Sequence, residues 1–269
     1  MTVDGIRSRV TIVTGASSGI GKEIALMFAR AGARVVLSAR NLQALEQTAQ
    51  ELQNEGCEVL VVPGEVTSES DMRNLAERTQ AAFQRVDIVV SCAGVYIRSA
   101  VRDLTMDTIR RCMDVNYYGT VHLIRAVLPV MLAQRSGHIV TISSVDGKKG
   151  LPPDAAYAAS KFAVTGFMDV LRQELRGTGV FASTIFPERV DTPMIKTLRL
   201  SPFSRRVPPA QVARAALRAV RQRRREIIVS FPGPKALIVL STLWPALGDW
   251  IVRVTHLEGA EMSEGAPHA

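Results

Sequence analysis

Cysteine is scarce in this chain, with only Cys57, Cys92 and Cys112 among 269 residues. Their number is odd, no two form a Cys-x-x-Cys pair, and two stand in apolar surroundings. A disulfide scaffold is excluded, no metal site is expected, and unpaired thiols in a reducing, cytoplasmic compartment are the reading. The N-terminus, MTVDGIRSRVTIVTG, lacks the apolar stretch of a signal peptide and reads as a strand entering a glycine turn. There is no internal repeat and no low-complexity segment. No apolar run approaches the roughly 20 residues that cross a bilayer. Acid is missing from residues 192–225, which carry ten basic side chains. That stretch reads first as a solvated helix face and second as a surface for an anionic membrane or an acidic ligand. With no binding motif accompanying its arginines, it is not expected to bind nucleic acid.

What is present is a large apolar fraction, 47% of the chain, enough for the core of one large domain. Short apolar runs alternate with helical patterns. Strands are expected at 10–15, 34–39, 58–64, 86–94, 137–144, 180–187 and 226–231. Helices are expected at 19–32, 41–55, 68–83, 105–134, 155–176 and 208–222. Strands so apolar, alternating with helices, predict a doubly wound α/β fold, a Rossmann-type parallel sheet of seven strands covered on both faces. The single domain is expected to occupy residues 1–231, followed by a C-terminal apolar extension and polar tail, 232–269. In such folds ligands bind outside the carboxyl ends of the strands.

The first strand runs into Thr14-Gly-Ala-Ser-Ser-Gly-Ile-Gly21, with glycines at 15, 19 and 21. Such a turn lets the backbone approach a pyrophosphate at a helix N-terminus. The second strand ends Ser38-Ala39-Arg40, with no acid to hold a ribose 2′-hydroxyl and an arginine able to fork onto a 2′-phosphate. The expected cofactor is therefore NADP(H) ahead of NAD(H). At the reactive end, the fifth strand closes in Ser143-Ser144, and the helix from 155 brings Tyr157 and Lys161 onto one face. A phenol beside an ammonium is expected to titrate lower, toward usefulness as an acid or base. A serine hydroxyl nearby can orient a carbonyl oxygen.

Taken together, TGASSGIG, Glu65-Val66, Ser91-Cys-Ala-Gly94, Asn116 in VNYYG, Ser144 and YAASK resemble the short-chain dehydrogenase/reductase family over nearly the full chain. Ser144 stands thirteen residues before Tyr157, the family's usual separation, and so is selected over Ser143. The resemblance implies that Tyr157 exchanges a proton with the substrate oxygen and that Ser144 binds that oxygen. Lys161 would lower the tyrosine and hold the nicotinamide ribose, and Asn116 would kink its helix and hold a relay water. It also implies cofactor contacts from Gly15, Ser17, Ser18, Gly19, Ile20, Gly21, Arg40, Glu65, Val66, Ala93, Gly94, Tyr157, Lys161, Pro187, Val190 and Thr192. Departures from the family pattern are Ser91 and Cys92 for two asparagines, Glu65 for aspartate, and Glu188 for the glycine after Pro187. A homodimer or homotetramer through helices 105–134 and 155–176 is implied as well.

SARN at 38–41, MDVNYYG, VDTPM and LWPALGDWIVRV look most like 3-ketosphinganine reductases and neighbouring lipid- or steroid-handling members. A lipophilic ketone or alcohol is the expected substrate. Residues 236–247 are almost wholly apolar, with Trp244 and Trp250 near the far end and Pro245 interrupting them. Residues 232–255 could lie in a membrane interface, cover the substrate pocket, or pack between subunits. Two rival readings are a 3-oxoacyl thioester reductase with an acidic carrier on the arginines, and a non-catalytic NADP(H)-sensing or scaffold protein.

Overall fold

The seven principal strands of the computed structural model are β1 (Val10–Thr14), β2 (Arg34–Ser38), β3 (Val59–Val61), β4 (Ile88–Ser91), β5 (Gly137–Ile142), β6 (Val180–Pro187) and β7 (Glu226–Val229). Residues 5–199, 201, 205–257 and 260–261 are described, so the end of the 232–269 segment lies outside the described residues. The strands form one parallel sheet in the order β3-β2-β1-β4-β5-β6-β7. The order reverses between β1 and β4, and the crevice at that switch point is where such sheets take ligands.

Helices α1 (Gly19–Arg30), α2 (Leu42–Asn54), α3 (Glu69–Phe83), α4 (Met106–Cys112), α5 (Gly119–Ala133), α6 (Ala155–Glu174) and α7 (Pro209–Gln222) cover the faces. Side chains alternate across each strand, so two cores form. In β1, Val13 joins α1, α2 and α7, while Val10 and Ile12 join α3, α5 and α6. That alternation is the period-2 rule of a strand buried on both sides. β3 is regular only over Val59–Val61, but Val62 and Gly64 continue to bond Leu37 O and Ala39 O; Pro63 stands between them at the outward position of this edge strand, where no N–H is needed.

The long helical region expected at 105–134 is present from Met106 to Ala133 and changes pitch within it. A π-helical turn, Met113–Tyr118, separates α4 from α5, and such insertions often mark functional positions. It carries Asn116 and turns that side chain toward the β4 turn. The apolar extension is likewise two helices, α8 (Pro232–Leu243) and α9 (Pro245–Thr255), broken at Trp244–Pro245. Among the described residues, no helix is long and apolar enough to cross a membrane.

Leu237 and Val252 point inward, and Lys149 pairs with Asp249 at 2.6 Å, which ties α9 to the loop after β5. The outer faces of α8 and α9 expose Val239, Leu243, Trp244, Leu247 and Trp250. Tyr118, Phe162 and Val170 are exposed near and along α5 and α6, the helices expected to meet another subunit.

Candidate active site

The turn after β1 is built for close backbone approach. Gly15 has φ +67° and Gly19 φ +54°, a left-handed backbone that residues with side chains adopt at a cost. A Cβ on Gly21 would stand 2.6 Å from the Gly15 carbonyl carbon, so this turn has no room for a side chain. Thr14 staples it to the turn after β4 by accepting from Cys92 N at 3.1 Å. Helix α1 then starts at Gly19 with no side-chain cap and no acid in its first turn. Its free N–H groups and positive dipole end face the crevice, which suits a phosphate.

Gly15, Ser17 to Gly21, Arg40, Glu65, Val66, Ala93, Gly94 and Thr192 line one cavity of about 580 Å³ here. Pocket volumes of about 300–1,000 Å³ are usual for cofactors and other small molecules. The glycine cradle, the uncapped helix and this volume fit a dinucleotide. Two of the expected contacts meet each other instead: Arg40 Nε lies 3.3 Å from Glu65. Glu65 comes to this position because its backbone N–H is held by Asp71 at 2.9 Å.

A second, smaller cavity of about 80 Å³ adjoins at the ends of β5 and β6. Ser144, Tyr157, Pro187 and Val190 line it, and Thr192 borders both cavities. Both Ser143 and Ser144 line this cavity, and their hydroxyls have different partners. Ser143 Oγ donates to the Lys161 carbonyl at 3.3 Å, within α6, whereas Ser144 Oγ sits beside Tyr157 and donates to Asp146 at 3.0 Å.

Lys161 and Asn116 stand behind this cavity. Lys161 Nζ donates to Ile142 O at 3.0 Å. Asn116 accepts from Val95 N at 2.8 Å and donates to Val95 O and Ser160 Oγ, which pins the 94–95 turn. A Cβ on Gly94 would lie 3.0 Å from Asn116 Oδ1. Glu188, where the family has glycine, lines this cavity; its N–H bonds Val229 O at 3.0 Å and its Oε2 is buried without a hydrogen bond.

The electrostatics correct one expectation. Lys161 was expected to lower Tyr157, yet the phenol is held above its ordinary value, by burial first and then by the charge of Asp146. The Lys161 ammonium is 5.7 Å from the ring centroid and committed to a carbonyl. Burial also lowers Lys161 itself to about 8. Desolvation outweighs the through-space attraction at this site. Tyr157 is thus fully protonated at neutral pH, the state a proton donor needs. Burial raises the Cys92 thiol to about 12, so it is no nucleophile.

Several site residues had no sequence signal. Tyr96, whose ring packs edge-on against Tyr157 at 4.8 Å, donates to Asp154, which also receives Arg98. Asp146 lies two residues past Ser144 in no motif. Only the folding of separate loops onto one edge brings these groups together.

The family model described as short chain dehydrogenase matches residues 9–202. Dehydrogenase/reductase SDR family member 7B of Danio rerio is 37% identical over 260 residues, covering 90% of this chain and 84% of that protein. Dehydrogenase/reductase SDR family protein 7-like of Drosophila melanogaster is 34% identical over 269 residues, covering 94% and 82%. The crystal structure of a 3-oxoacyl (acyl-carrier-protein) reductase from Agrobacterium tumefaciens with NADP bound superposes with a TM-score of 0.77 at 26% identity, covering 84% of this chain and 95% of that one.

Proposed function

The chain belongs to the short-chain dehydrogenase family, and from that premise we propose an NADP(H)-dependent oxidoreductase that interconverts a lipophilic ketone and its secondary alcohol. The observation that carries this reading is the meeting of the Ser144 and Tyr157 hydroxyls on one small cavity beside a nucleotide-sized one. When bound, a nicotinamide nucleotide supplies or accepts the hydride.

The chain's own residues do the rest. Ser144 orients the substrate oxygen, and Tyr157 gives it a proton during reduction. Lys161 places a positive charge behind the phenol, and Asn116 holds the 94–95 turn that walls the nucleotide cavity. These are positions that raise the local concentration of a correctly placed acid, a contribution of about 10²–10⁴ in rate.

The preference for NADP(H) rests on Arg40. Its pair with Glu65 is 62% exposed on the arginine side, and exposed pairs contribute only about 0–1 kcal/mol. A 2′-phosphate offers a bidentate, charge-assisted alternative that outweighs it. The lipophilic character rests on Val145, Leu151, Leu237, Ile238 and Leu257, which share a small crevice with Asp146, Lys149, Glu188 and Arg189. A 3-ketosphinganine-like or steroid-like ketone is the substrate class this reading takes.

A panel of ketones and alcohols read at the NADPH absorbance band, with NADH beside it, tests the reading. We expect turnover of long-chain ketones with NADPH at least about tenfold better than with NADH; equal use of both, or none of either, would sink it. The solved acyl-carrier reductase favours a second reading, a 3-oxoacyl thioester substrate. An acetoacetyl thioester in the same panel separates the two.

Peripheral membrane contact is supported by the exposed apolar residues of α8 and α9, among them Trp244 and Trp250, a residue type that favours the headgroup region. Full-length protein is expected to float with anionic vesicles, and the Trp244→Ser/Trp250→Ser variant to stay in the lower fraction. Equal flotation of both would remove the membrane reading.

A further inference from the structure

A cavity of about 760 Å³ opens at the β7 edge of the sheet, between α7, the end of β7 and the start of α8. Among the described residues, it shares no lining side chain with the two cavities of the candidate active site. Arg214, Arg218 and Arg221 recur about one turn apart and so share one face of α7. Lys235 joins them from α8, and Gln211, Gln222 and Ser230 add neutral polar groups. Among the described residues, no carboxylate lines the cavity, and none of its four cations forms an ion pair or hydrogen bond.

The acids nearest in the chain are engaged elsewhere. From 192 to 248 the sequence has one acid, Glu226, and Lys148 pairs with it at 2.9 Å. The next, Asp249, pairs with Lys149 at 2.6 Å. Both lysines come from the loop after β5. The negative end of the α7 dipole favours a cation at Arg221, but its field fades within the last turn and leaves Arg214 and Arg218 uncompensated. Like charges one turn apart also repel. Arg221 Nε is covered and has no hydrogen-bond partner, a state in which lost solvation is not recovered. A solvated helix face would spread its cations and keep them wet. Here they converge from two helices, and one is half-buried.

We infer that this cavity binds a ligand carrying two or more phosphate groups. Three guanidinium forks match phosphate oxygens in pairs, and the Lys235 ammonium adds a point charge. One phosphate monoester carries only about −1.5 to −2, so four cations call for at least two of them. Ser230 and the two glutamine amides offer further hydrogen bonds, and Leu217 and Ile228 add apolar surface. Such phosphates come from a soluble polyphosphate or from the headgroup of a phosphorylated lipid. The assignment is independent of the ketone–alcohol reading, because the cavity stands apart from the reacting groups.

Calorimetry of the full chain with inorganic tripolyphosphate, at saturating NADPH, tests it. The wild type is expected to bind with a Kd of about 1–10 μM. Arg218→Gln/Lys235→Gln should bind at least about thirtyfold more weakly. Arg110→Gln/Arg111→Gln removes the same charge from α4 and should stay within about threefold of the wild type. All four side chains are exposed, so folding is kept.

A wild type that binds no tripolyphosphate below about 1 mM, a cavity variant that binds like the wild type, or an α4 variant that loses as much overturns the assignment. So does tripolyphosphate that displaces NADPH, which would put binding in the nucleotide cavity. If NADPH does not bind, the nucleotide reading fails on its own, and the same titration without it decides for or against the β7-edge cavity. Flotation with phosphatidylcholine vesicles holding phosphatidylinositol bisphosphate identifies the source. Retention that Arg218→Gln/Lys235→Gln abolishes marks a lipid headgroup; retention unchanged by that variant, or none, marks a soluble polyphosphate.

Discussion

Replacing Tyr157 with phenylalanine is expected to lower kcat for ketone reduction by about 10²–10⁴ while nucleotide affinity stays within about twofold. The ring remains, so the edge contact with Tyr96 and the packing of α6 are kept. What disappears is the hydroxyl that stands beside Ser144 in the reactive cavity. Because that hydroxyl is pushed upward by burial, it enters the reaction as an acid, and reduction should suffer directly.

The wild-type profile should show a second signature. Lys161 is lowered to about 8, so its charge is present below that pH and lost above it. Reduction should therefore decline as pH rises through about 8. Steady-state kinetics with calorimetry of NADPH decides the matter. A Tyr157→Phe enzyme with undiminished turnover would remove the proposed chemistry, whereas lost nucleotide binding would mean that the ring, not the hydroxyl, was responsible.

Gly21→Ala is the other substitution with a large expected effect. The new Cβ would stand 2.6 Å from the Gly15 carbonyl carbon and 3.1 Å from the Thr14 oxygen. Both obstacles are backbone, and Thr14 is itself fixed by the β4 turn through Cys92 N, so the turn cannot yield cheaply. Overpacking of this kind costs about 1–3 kcal/mol. The same displacement moves the N–H groups at the start of α1 away from any phosphate.

Urea unfolding should show that loss of stability, and NADPH affinity should fall at least about tenfold. An alanine variant with wild-type stability and affinity would mean that the turn is slack, and the glycine cradle would no longer support nucleotide binding there.

These cases show where the sequence was sufficient. Alternating apolar runs and helical patterns were enough to place seven strands, because a strand buried on both faces must be apolar on both. The glycines at 15 and 19 were legible because a left-handed backbone favours glycine, Gly21 because a Cβ there would meet the Gly15 backbone, and Tyr157 and Lys161 share a helix face by spacing alone. Asn116 had no signal of its own; its motif carried it, and the π turn at 113–118 explains why one residue there points at Val95.

The remainder depended on atoms distant in the chain. Burial reversed the expected direction at Tyr157, since desolvation depends on everything packed around a group. Arg40 found Glu65, the apolar extension folded back as two helices, and Asp146 entered the reactive cavity. The sequence by itself determined the sheet, the glycine turn and the helix that carries the tyrosine, because local backbone geometry and periodic burial are written in neighbouring residues. Tertiary structure alone decided the ionisation of the site and which charges meet in it, because solvation and Coulomb energy depend on distances through space.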